Sequence, residues 1–98
     1  MMGEAERTVW DDLKSDANLQ TRGIGFAGLD EAFDGRFALI REDGRRDYGE
    51  ARFNMIVAFN GVILNITFTP RDGKQRIISA RLANRTERRL YDARQKDC

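Results

Sequence analysis

Residues 76–94, RIISARLANRTERRLYDAR, hold six arginines in nineteen positions. Arginine carries a planar fork of donors that matches phosphate and carboxylate oxygens. Arg76 and the upstream Arg52 are the two cations whose placement suits a phosphate gaining negative charge, and Glu50, two residues before Arg52, is the first carboxylate to consider for accepting a proton there. Each has a plainer reading. The arginines can be charges on a solvated sheet face, and Glu50 can be the salt-bridge partner of one of them. Arg81 is either an active-site cation or an anchor that ties the last strand to a carboxylate. Tyr48 and Tyr91 can donate protons, stack on bases or simply pack.

Fourteen of the seventeen cations are arginine, and they are unevenly spread. Residues 1–70 hold eight Lys and Arg against twelve Asp and Glu, a net −4, whereas residues 71–98 hold nine against four, a net +5. The basic last third favours partners with phosphate or carboxylate groups; the alternative is a solvated face neutralised by the acidic remainder of the chain. A length of 98 residues fits one domain with one core. The chain has no histidine, and its single cysteine is Cys98, so no internal disulfide can form and few ligands are left for a structural zinc site. A protein without metal or cofactor is expected. There is no apolar run of membrane-spanning length and MMGEAERTVW lacks the pattern of a secretory signal, which points to the cytosol.

The elements that must position these residues can be read from pattern. RTVW, residues 7–10, starts as a strand; Asp11 caps a helix over DDLKSDANLQTR with Leu13 and Ala17 continuing its inner face, and Gly23 stops it. In FAGLDEAFD, Phe26, Leu29 and Phe33 mark a second short helix that should pair with the first, and FALIRE, residues 37–42, is a strand. Asn60-Gly61 is the preferred pair for a two-residue hairpin turn and sets Phe59 against Val62, Val57 against Leu64, Met55 against Ile66 and Phe53 against Phe68, all on one face. A second such turn at Asp72-Gly73 sets Thr69 opposite Arg76 and Thr67 opposite Ile78. Arg52, Thr69 and Arg76 then form one polar row on the other face. Arg81 would fall opposite Leu64 on the apolar side, which calls for a bulge or the end of the sheet. Asn84 and Glu87 have capping-box spacing for a closing helix with a thin apolar stripe through Leu90 and Ala93, under a coat of Arg85, Arg88, Arg89 and Arg94.

RIISARLANRTERRLY resembles the end of the BrnT family, the toxin halves of bacterial toxin–antitoxin pairs. Upstream, Val9-Trp10-Asp11 with Lys14 and Asn18, then Gly23, Phe26 and Phe33, then Gly49-Glu50 with Arg52 are similar to the family's other elements in order and spacing, over roughly residues 9–92. The resemblance implies an α+β, RelE-like fold, a mostly antiparallel sheet with two N-terminal helices and a C-terminal one. It also implies ribonuclease activity and a tight complex with a BrnA-like antitoxin whose ribbon-helix-helix part binds DNA, so that DNA is reached only through the antitoxin. On this reading the RNA's own 2′-hydroxyl attacks the neighbouring phosphate, with Arg52, Arg76, Arg81 and Glu50 as catalytic residues and Arg22, Thr69 and Arg71 as RNA contacts. Where the family has Lys-His-Gly between its helices, this chain has Thr21-Arg22-Gly23. Arg22 keeps a positive charge but cannot readily exchange a proton near neutral pH. A BrnT-like binding module that acts with a DNA-binding antitoxin is therefore the alternative.

Overall fold

The computed structural model describes residues 1–44 and 49–97. In chain order these form β1 (Met2–Glu4), β2 (Thr8–Asp11), α1 (Asp12–Arg22), a 3₁₀ helix (Ala27–Phe33), β3 (Ala38–Glu42), β4 (Phe53–Phe59), β5 (Val62–Arg71), β6 (Lys74–Leu82) and α2 (Arg85–Lys96). The strands make one sheet in the order β1-β2-β6-β5-β4-β3. Every pairing is antiparallel except β2 with β6. The architecture is thus α+β with a mostly antiparallel sheet.

The β4–β5 hairpin is the framework. Asn60 and Gly61 have φ of 50° and 80°, the paired left-handed conformations of a type I′ turn. The register is the expected one, from Phe59 opposite Val62 to Phe53 opposite Phe68. Met55, Val57, Leu64, Ile66 and Phe68 are buried in one cluster with Trp10, Phe26, Leu29 and Ile77, with Phe53 and Phe59 packed against it. Val62, at the tip, stays exposed.

Two helical segments cover this face, and both differ in detail from expectation. Asp11 caps α1 by accepting from the Leu13 and Lys14 amides, and Gly23 ends it in the left-handed conformation. Its inner face, however, is Ser15 and Asn18, while Leu13 and Ala17 are exposed. These polar side chains satisfy buried backbone groups. Asn18 Nδ2 donates to the carbonyls of Ile24 and Ala80, and Ser15 Oγ accepts from the Phe26 amide, so the helix is held by hydrogen bonds that replace apolar contact. The second segment is 3₁₀ rather than α, which puts Phe26, Leu29 and Ala32 at its three-residue period, all buried. Both helices lie mainly on the sheet, α1 on β2 and β6, the 3₁₀ helix on β2 and β4.

α2 crosses the opposite face, where Tyr91 packs with Ile56 and Ala83 and meets Phe37 edge-on at 5.2 Å between ring centroids. The expected stripe through Leu90 and Ala93 is not the buried one, since both are exposed and Tyr91 alone is buried. The capping box of Asn84 and Glu87 is formed.

Candidate active site

Alternation turns every second residue of β4, β5 and β6 away from the core, and that second face is divided along its length. Toward the Asn60-Gly61 turn it is apolar and lies under Tyr91. Toward the Asp72-Gly73 turn it is polar, and its residues line up across the strands as rows. Arg81 faces Asn65; Thr67 stands between Ser79 and Asn54, with Arg41 beyond; Thr69 faces Arg76.

A bulge in β6 makes these rows possible. Thr67 pairs with Ser79 and Phe68 with Ile77, which leaves Ile78 as the extra residue. The uninterrupted register expected from the turn, with Thr67 opposite Ile78, is therefore corrected by one position. The extra residue reverses the alternation after it. Ala80 consequently enters the core, and Arg81 leaves the apolar side for the polar one.

Arg52 immediately precedes β4, and continuing the β4–β5 register one step past Phe53 and Phe68 sets it opposite Thr69. Thr69 is buried, and its hydroxyl donates to the Ala51 carbonyl at 2.5 Å, while the Arg52 carbonyl accepts from the Asp43 amide at 2.7 Å. Thr69 thus holds the segment that carries Arg52. Glu50 reaches back to that arginine, with Oε2 3.2 Å from Nε. Arg76 is half-buried and makes no ion pair among the described residues. Arg71 ends β5, exposed, opposite Lys74. Lys74 itself is bound to Glu4 at 2.7 Å.

Arg81 holds a carboxylate, with its two terminal nitrogens 2.8 and 2.9 Å from the oxygens of Glu87. Asn65 Nδ2 donates to the same carboxylate at 2.8 Å, as does the Asn84 amide at 2.9 Å. The Arg81 hydrogen bonds, opposed by burial and reinforced by Asn84 and Asn65, hold the Glu87 carboxyl down at about 2. The β6 strand is locked to the start of α2 through this cluster.

Arg22 is not brought to the polar rows. It ends α1, whose Asn18 is bonded to Ala80 on the core side, and it adjoins Gly23, which lines a groove with Leu82 and Asn60. Arg22 therefore lies on the opposite face from Arg76 and near the opposite end of β6. Tyr91 is buried against Phe37, and Tyr48 lies outside the described residues.

Arg41, Asn54 and Asn65 lie on this face and were given no role in the expectations drawn from sequence. Together with Asp43, Arg81 and Glu87 they line a cleft of about 330 Å³. The signal for Asn54 was present in the hairpin register, which sets it against Thr67; the Thr67 hydroxyl lies 2.9 Å from Asn54 Oδ1. Asn65 becomes visible as part of the site only once the bulge has delivered Arg81 beside it.

A family model described as the ribonuclease toxin BrnT of type II toxin–antitoxin systems matches residues 10–87. The match covers about four-fifths of the chain and contains every residue of the polar rows on β4, β5 and β6. No curated protein matched the chain.

Proposed function

Because the chain belongs to the BrnT family of ribonuclease toxins of type II toxin–antitoxin systems, with the RNA substrate and antitoxin partner that membership implies, we propose that it cleaves RNA without a metal ion on the polar half of the α2-side sheet face. The row of Arg52, Thr69 and Arg76 carries this reading. Two guanidinium groups flanking a threonine repel a metal ion and suit a phosphate. Arg76 and Arg52 bind the nonbridging oxygens as charge builds on phosphorus, Thr69 fixes the Arg52 segment, and Arg71 extends the track for the RNA strand. Glu50, beside Arg52, accepts the proton of the attacking 2′-hydroxyl, and solvent supplies the proton to the departing 5′-oxygen. Arg81 acts through Glu87 and Asn65 as a positioning residue. The fold is read as RelE-like.

The inhibitor is read as a BrnA-like antitoxin with a DNA-binding part, whose acidic segment complements the exposed Arg85, Arg88, Arg89 and Arg94 of α2. DNA is reached only through it. The setting is read as cytoplasmic. Among the described residues no helix is long and apolar enough to cross a membrane.

One observation favours a second reading. Thr21-Arg22 stands where the resemblance implies lysine and histidine, and a fold that has lost chemistry can persist as a binding module in a repressor complex. Purified protein incubated with RNA and a chelator separates the two. Cleavage that survives chelation and falls about a hundredfold or more in Glu50→Gln supports the enzyme and its base. Wild-type protein that binds an antitoxin tightly and cuts nothing supports the module.

A further inference from the structure

The cleft between β3 and the start of α2 has a volume of about 330 Å³, near the lower end of small-molecule sites. It has room for one flat ring system. Asn54 and Asn65 line it between Arg41 and Arg81, with the Glu87 carboxylate at Asn65. Asn65 is only 6% exposed, and its amide orientation is set by chemistry. Nδ2 donates to Glu87, and an ionised carboxylate can only accept, so Oδ1 must point the other way. That oxygen takes no hydrogen bond among the described residues, and it is not a sealed buried atom. Asn65 lines this cleft and therefore brings to it an acceptor with no partner among the described residues.

We propose that this cleft holds one unpaired base of the bound RNA, with Asn65 Oδ1 accepting from the base's amino or ring N–H group and the Arg41 guanidinium lying over its face. The inference rests on the RNA-cleaving reading above and adds a base-reading subsite to it. Arg41 is exposed and makes no ion pair among the described residues, and guanidinium planes stack on splayed bases. Four residues of extended strand, roughly 13 Å, separate Asn65 from Thr69, so the base held here belongs to a nucleotide near the cleaved phosphate but not directly next to it. An unpartnered acceptor beside the Glu87 carboxylate favours bases with amino groups. Uracil, with a single N–H between two carbonyls, is disfavoured.

The test is titration of short oligo-A, oligo-C and oligo-U of equal length into the full chain with chelator present, by fluorescence anisotropy. Wild type should prefer A and C over U by about two- to tenfold, the range of one hydrogen bond. Asn65→Ala should abolish that preference without changing the salt dependence. Since Asn65 also anchors Glu87, Arg41→Ala at its exposed position is the second arm, and it should weaken oligo-A binding about fivefold or more in salt that screens its charge. RNA binding without base preference, or a preference that survives Asn65→Ala, overturns the cleft and leaves the cleavage reading intact. No RNA binding by wild type overturns both. Loss of antitoxin affinity in Asn65→Ala with base preference unchanged reassigns the cleft to a protein partner.

Discussion

Glu87 accepts hydrogen bonds from Arg81, Asn65 and the Asn84 amide while its own side chain is 12% exposed. Because its folded pKa of about 2 lies below the free value, its stabilisation is fully present above about pH 4.5 and is lost as pH falls toward 2. At neutral pH that linkage is worth up to about 3 kcal/mol, less what the more exposed Arg81 loses to solvent screening. Glu87→Gln should therefore be less stable than wild type at pH 7 in urea unfolding, and the difference should shrink between pH 5 and pH 2. A constant difference across that window would mean that Glu87 acts only as a cap. The sequence revealed the cap, because Asn84 and Glu87 have capping-box spacing. It left Arg81 open between two roles, since the choice depends on a carboxylate six residues away folding back onto the strand.

At the level of elements, the hairpin and its register were legible because a type I′ turn leaves little freedom and all the apolar residues agreed. The face of α1 was not, because Ser15 and Asn18 are buried for their hydrogen bonds and leave no hydrophobic period. The bulge was legible only through its consequence, the misfit of Arg81, and its position at Ile78 came from the structure. That position has a testable result. Deleting Ile78 leaves Phe68 opposite Ile77 and Thr67 opposite Ser79, so strict alternation then places Ala80 inward and Arg81 outward as in wild type. The deletion should fold, with a loss within about 3 kcal/mol, and should keep the acid-dependent stability that Glu87 supplies. Deleting Ala80 shifts a serine or an arginine onto the core face and should unfold the protein. Leu64→Ala, which empties a core position 3% exposed, should cost about 2–5 kcal/mol.

Across the whole molecule, the net charge of +1 conceals a separation of cations by face. Arg52 and Arg76 share the polar half of one face, whereas Arg22 sits beyond the core on the other. Counting charges along the chain could not separate them, because only the sheet's two faces and the direction of α1 do so. RNA bound along the polar rows should engage two or three phosphates, and binding should weaken with salt at a logarithmic slope of roughly −1.4 to −2.1, taking about −0.7 per single-strand phosphate. Arg76→Ala should lower affinity and reduce that slope by about 0.7, with little change in melting temperature because surface charges contribute little to stability. Arg22→Ala should leave the slope at its wild-type value. Equal effects from the two variants would mean that the RNA wraps the molecule from one face to the other, and a slope near zero for wild type would remove the phosphate row as the binding surface.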